Sequence, residues 1–242
     1  MNARIRLGML TPSSNTVLEP VTAAMLADLP DVSAHFGRFR VTQIALSEGA
    51  LAQFDDAAIL GAASLLADAK CDVIAWNGTS SGWLGFDADR RLCERIEAAT
   101  GARAATSMLA LNEALALTDA RRLGLVTPYT PDVQARIVAN YATIGIDCVA
   151  ERHLNIHENF AFAEVEPETL ASMARDVARD KPDAIAIVCT NLRAANLVAM
   201  LEDELGIPVY DTVATAVWRS LLLAGLDPAS IKGWGRLFQL KP

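Results

Sequence analysis

The residue best placed to do chemistry is a cysteine at the end of an apolar run. Cys189 follows AIAIV and precedes Thr190 and Asn191, where a helix is expected to begin. A thiol at a helix start has its pKa lowered from about 8.5 toward neutrality. Such a group can donate or accept a proton at carbon. The alternative is a buried structural cysteine, and that is the reading taken for Cys71, Cys93 and Cys148. Those three fall before a strand, inside a helix and inside a strand, so only Cys189 stands at a strand's carboxyl end.

Three further turns carry the same character. VIAWNGTSSGW turns from an apolar strand into Asn77, Gly78, Thr79, Ser80 and Ser81. TPSSN supplies Pro12, Ser13, Ser14 and Asn15, and TPYTPD supplies Tyr129. Hydroxyls and unpaired amides at a helix opening favour an anion. Neither Ser13–Asn15 nor Thr79–Ser81 contains Lys or Arg, which suits a carboxylate better than a polyphosphate. The candidate substrate-binding residues are therefore Pro12, Ser13, Ser14, Asn15, Thr79, Ser80, Tyr129, Thr190 and Asn191, with Asn159 from HENFAF. Helix capping alone is the competing account of any one such turn. Neither G-x-G-x-x-G nor G-x-x-x-x-G-K-[ST] occurs, so no nucleotide cofactor is expected.

The elements that must hold these turns alternate. Strands are predicted over 5–10, 33–41, 72–76, 122–126, 147–153, 183–188 and 208–210. Helices are predicted over 18–29, 57–69, 87–100, 108–117, 131–144, 167–179, 194–205 and 214–224. Strands separated by helices of this length form parallel sheets covered on both faces. The chain also repeats itself. LGMLTP at 7–12 recurs as LGLVTP at 123–128, and the strand from Val73 aligns with that from Ala184. The expected fold is α/β with two pseudo-symmetric Rossmann-like halves, each a four-stranded parallel sheet flanked by helices. One half is residues 1–117 plus 213–242 and the other 118–212. Ligands of such sheets bind beyond the strands' carboxyl ends, here in the cleft between the halves. The repeat sets Gly78 opposite Cys189. Candidates for an apolar wall are Leu10, Val41, Ile44, Phe54, Trp83 and Phe160.

Composition limits the partners. The 242 residues carry 21 basic and 29 acidic side chains, a net charge of −8, with no Lys/Arg run of the kind that binds nucleic acid. No apolar run reaches membrane-spanning length, and the first residues do not read as a signal peptide. Four scattered cysteines without C-x-x-C spacing are expected to be reduced. A cytoplasmic protein, with no membrane partner, is the default expectation, and a homo-oligomer is possible. His153 and His157 are four apart but lack a third metal ligand nearby.

Taken together, LGMLTPSSNTVLEP, GTSSGW, TPYTPDV, CTNLRA and GWGRLF resemble the aspartate/glutamate racemase superfamily. Within it the chain is similar to the branch of maleate cis-trans isomerases and arylmalonate decarboxylases. The resemblance implies no metal or organic cofactor. It also implies a small carboxylate or dicarboxylate substrate in the central cleft. Racemases of this kind use one cysteine on each face of the substrate carbon, and maleate isomerases attack the double bond with the first-half cysteine. Cys189 matches the second cysteine, while Gly78 occupies the position of the first. Arylmalonate decarboxylases share that arrangement, with glycine followed by Thr-Ser. PSSNT and the Thr-Asn after Cys189 depart toward the isomerases, in which the positions of Asn15 and Asn159 hold a carboxylate. The resemblance therefore implies decarboxylation of a substituted malonate or related diacid, through an enediolate protonated by Cys189. Isomerisation of maleate or racemisation using Cys189 is the alternative, and carboxylate binding without catalysis a further one. A Gly78→Cys substitution is expected to add racemising activity.

Overall fold

A computed structural model describes residues 4–44, 46, 49 and 56–242. Phe54, one of the wall candidates, lies outside them. The first sheet is β1 (Ile5–Pro12), β2 (Val32–Phe39), β3 (Val73–Trp76) and β4 (Arg103–Thr106), in the order β2-β1-β3-β4. The second is β5 (Arg122–Thr127), β6 (Asp147–His153), β7 (Ala184–Ile187) and β8 (Val209–Asp211), in the order β6-β5-β7-β8. All pairings within both sheets are parallel. The central strands β3 and β7 are short and wholly buried, as expected of strands covered on both faces.

The sequence repeat is a repeat of register. Leu7 pairs with Val73 and Leu10 with Trp76, while Leu123 pairs with Ala184 and Val126 with Ile187. The next hydrogen bond also recurs: Asn77 N–H donates to Leu10 C=O at 3.0 Å, and Val188 N–H donates to Val126 C=O at 2.9 Å. Gly78 and Cys189 are therefore structural equivalents, one residue farther on. The repeated glycine has a packing reason. A Cβ on Gly8 would come within 3.2 Å of Leu66 and Ile74, and one on Gly124 within 3.0 Å of Val177.

Helices α1 (Leu18–Met25), α2 (Asp56–Asp68), α3 (Ser81–Leu84), α4 (Phe86–Thr100) and α5 (Ser107–Leu117) belong to the first sheet's segment of the chain. Helices α6 (Pro131–Thr143), α7 (Asn159–Phe162), α8 (Pro167–Ala178) and α9 (Val198–Leu205) belong to the second. The local signals are ordinary: α4 ends at Gly101 with φ +72°, and α8 opens on Pro167 with Glu168 in its first turn. Helix α10 (Thr212–Leu223) leaves β8 and packs on β3, β4 and α5 of the first sheet. It thereby ties one half to the other.

Two expectations need correction. Strand β4 was not foreseen, because RAAT has little β-branched character and follows directly on the helix stop at Gly101. The helix expected over 194–205 begins as a 3-10 turn at Ala195–Leu197, and its α-helical part starts only at Val198. No helix among the described residues is long and apolar enough to cross a membrane.

Candidate active site

Four strand ends meet. β1 delivers Ser13–Asn15, β3 delivers Asn77–Ser80, β5 delivers Pro128–Thr130 and β7 delivers Val188–Asn191. Side chains cross between the halves at each of them. The Thr79 hydroxyl and the Tyr129 phenol are 2.6 Å apart. Asn15 Nδ2 donates to the Thr190 carbonyl at 3.1 Å and to its hydroxyl at 3.2 Å. Thr190 Oγ1 donates in turn to the Asn77 carbonyl at 3.0 Å. Asn191 Oδ1 accepts from Thr16 N–H at 3.0 Å, and its Nδ2 donates to the Asn159 carbonyl at 2.6 Å.

Beside these contacts lies a cavity of about 20 Å³, lined by Pro12, Val41, Ile44, Trp76, Gly78, Thr79, Trp83, Asn159, Cys189 and Thr190. Space of that size admits about one water. Its roof is a junction between the halves. Gln43 and Glu158 form an antiparallel bridge, Ile44 N–H donates to His157 C=O at 2.9 Å, and Asn159 N–H donates to Thr42 C=O at 3.0 Å.

The expected site residues divide. Pro12, Gly78, Thr79, Asn159, Cys189 and Thr190 line the cavity. Tyr129 stands immediately behind, bonded to Thr79 and within hydrogen-bonding reach of the Cys189 thiol. Ser13, Ser14, Asn15, Ser80 and Asn191 are not in the wall. The Ser14 hydroxyl donates to Val41 C=O at 2.6 Å and accepts from Asn159 Nδ2 at 2.8 Å. Ser13 exchanges hydrogen bonds with the Val41 backbone. Asn15 is saturated, since its Oδ1 also accepts from Val17 and Leu18 N–H. Of the apolar candidates, Val41, Ile44 and Trp83 line the cavity, Leu10 is buried in β1, and Phe160 is half exposed.

Cys189 behaves differently from the sequence expectation. Burial pushes its thiol up to about 12, and Asp211 nearby pushes the same way. The Asn191 amide donates to Sγ at 3.4 Å, and Tyr129 also favours the thiolate, but neither offsets full desolvation. Full burial is the main cause, and the α-helix expected to favour the thiolate through its positive end starts only at Val198. Burial of Cys189 thus favours the neutral thiol. Tyr129 is likewise held neutral, chiefly by burial.

The residue that sequence reasoning missed is Trp76. A Cβ on Gly78 would lie 1.9 Å from Trp76 Cζ2 and 2.3 Å from Cε2. The indole therefore fills the space in which a side chain at 78 would sit. Side chains two apart on a strand share a face, and that alternation was the available signal. A side chain added by Gly78→Cys would need the Trp76 ring to shift, so the racemising gain expected of that substitution depends on the ring moving. Phe39 backs the ring, with centroids 5.1 Å apart. Tyr129 is wedged edge-on between Trp83 and Phe162, at 5.3 and 5.6 Å.

His153 Nδ1 lies 2.9 Å from Glu151 Oε2. Among the described residues, no group of three or more His, Cys, Asp or Glu could hold a metal ion. The four cysteines are free thiols.

Duplicated parallel sheets meeting about one protonated thiol define a two-half α/β enzyme. The chain belongs to the arylmalonate decarboxylase family, which it matches over residues 7–238. It is 28% identical to the maleate isomerase of Nocardia farcinica, over 97% of this chain and 95% of that protein. It is also 28% identical to the arylmalonate decarboxylase of Bordetella bronchiseptica, over 96% and 95% of the two chains. Among solved structures, the maleate isomerase of Pseudomonas putida S16 with maleate superposes with a TM-score of 0.88 at 26% identity, covering 97% of each chain.

Proposed function

We propose that this enzyme is a cofactor-independent decarboxylase of a small substituted malonate or related diacid. The observation that carries the reading is the asymmetry of its two equivalent strand ends. One bears the neutral thiol of Cys189, and the other bears Gly78 under an indole ring. A base or nucleophile must be a thiolate. Burial pushes the Cys189 thiol up to about 12, which disfavours the thiolate near pH 7. A proton donor needs the thiol, which is the form present.

One carboxylate of the diacid is held by Thr79, Tyr129 and neighbouring amides. The other faces Val41, Ile44 and Trp83. The carbon–carbon bond to that second carboxylate breaks and CO2 leaves. The electron pair remains on the substrate as an enediolate, with charge growing on the held carboxylate. Donors preorganised at such an oxygen are worth about 2.7–4 kcal/mol each in the transition state. Cys189 gives its proton to the carbon from one face, and solvent returns a proton to the thiolate. The family resemblance to maleate isomerases is the ground for a second reading. The saturated hydrogen bonding of Asn15 weighs against it, because that side chain has no donor left for a substrate carboxylate.

The test is a panel of aryl- and alkylmalonates, maleate and chiral 2-substituted acids, turned over in D2O. Release of CO2 with one deuterium on a single face is expected. Cys189→Ser is expected to lose activity by about 10²–10⁴-fold, the range of general acid–base catalysis. Fumarate formed from maleate without CO2 would sink the decarboxylase reading. Activity untouched by Cys189→Ser would remove the thiol from the chemistry.

A further inference from the structure

We propose that Trp76 supplies the first-half contact to the substrate. Its indole Nε1–H donates a hydrogen bond to an anionic oxygen in the cavity, beside the place a side chain at 78 would take. Three observations meet here. The ring's Cε2, the atom to which Nε1 is bonded, lies 2.3 Å from the position of a Cβ on Gly78. Trp76 is 1% exposed, and its Nε1 has no hydrogen-bond partner among the described residues. Trp76 shares the cavity wall with Thr79 and Cys189.

A buried donor without a partner is unfavourable, and buried Trp N–H groups ordinarily find one. An indole only donates, so it selects an acceptor such as a carboxylate or enediolate oxygen over an ammonium or amide N–H. The cavity wall contains no Lys or Arg, so neutral donors have to hold the anion. Phe39, tilted at 45° against the ring, restrains it. The same ring favours glycine at 78: its Cζ2 and Cε2 atoms stand where a Cβ would, so a second thiol there needs the ring to shift. The inference rests on reading the cavity as a carboxylate site, and does not depend on which reaction follows.

The test uses the full chain labelled with ¹⁵N. The four tryptophans, Trp76, Trp83, Trp218 and Trp234, give four indole N–H signals, and loss of one in Trp76→Phe assigns it. Malonate, phenylmalonate and maleate are titrated, with binding followed in parallel by calorimetry. Bound diacid should shift the Trp76 signal downfield. Trp76→Phe, folded by circular dichroism, should lose about tenfold to a hundredfold in affinity or kcat/KM, the worth of a hydrogen bond to a charged group. An unmoved signal under a bound diacid, or a folded Phe variant with unchanged affinity and kcat/KM, overturns the proposal. In a second arm, Gly78→Cys alone should not exchange the α-hydrogen of the product acid, whereas Trp76→Val with Gly78→Cys should. Exchange by the single variant would show that the ring does not hold this space. A shifted Trp76 signal without CO2 release would fell the decarboxylase reading and leave this one standing. Failure of every diacid to bind would fell both.

Discussion

At the scale of single residues, the chemistry turns on where a proton rests. Cys189 and Tyr129 are both buried and both neutral. Thr79, Tyr129 and Cys189 run in sequence from the first half to the second. Cys71 is also raised by burial, and Cys93 and Cys148 are pushed to about 12. An ultraviolet titration of thiolate absorbance should therefore show no step between pH 6 and about pH 8. The difference between the native chain and Cys189→Ser should likewise show no step in that range. A step near pH 7 that is missing from Cys189→Ser would mean the sulfur is a thiolate, and would return the site to base catalysis. The importance of Cys189 was legible from its place at a strand end, and its pairing with Gly78 from the repeat. Its ionisation was not. That depended chiefly on how fully the strand end is buried, and also on TNLRAAN, which reads equally as a helix opening or as the irregular turn it forms.

At the scale of elements, β8 and α10 set a pH dependence in the fold. Asp211 ends β8 and caps α10, its Oδ1 accepting from Val213 and Ala214 N–H at 2.8 and 3.0 Å. Its Oδ2 has no partner among the described residues, and burial pushes its carboxyl up to about 7. A carboxyl raised on folding favours the protonated native state. Its contribution to stability is complete below the unfolded value near 3.8 and is lost as pH rises through about 7. Asp211→Asn retains the capping oxygen and cannot ionise. Thermal melts from pH 4 to pH 8 should show the native chain losing up to roughly 3 kcal/mol relative to the variant. Asp89 on α4, raised to about 6, adds a decline of the same sign. The variant's curve should therefore flatten without becoming level, and parallel curves would refute the assignment to Asp211. Elements with a strong period were readable in advance. Strand β4 was not, since RAAT takes its conformation from pairing with β3. Trp76 looked like one more apolar strand residue in VIAW. Which way its ring folds is a tertiary fact, set by Phe39 and by the absence of a side chain at 78.

At the scale of the whole molecule, the duplication was legible because repeated residues keep a repeated register. The seam was not, because Ser and Asn at strand ends read alike whether they bind a ligand or each other. Asn191 is the clearest case. Foreseen as a substrate contact, it bonds Thr16 N–H, Val17 N–H and the Asn159 carbonyl. Asn191→Ala strands these groups, and should cost about 3 kcal/mol, or roughly 6–12 °C in Tm for a chain of this size. A shift within 1 °C would show that the halves are held together elsewhere. The cavity belongs to this seam as well. With about 20 Å³ of it open, it takes one water, and a bound diacid would have to enlarge it. That room would be taken from contacts that join the halves. Affinity for a ligand is then a net quantity, lowered by the fraction of molecules already open. The same interlocking that makes the molecule stable makes it a weaker binder than its pocket would be if preformed, and a modestly loosened seam should hold its ligand more tightly.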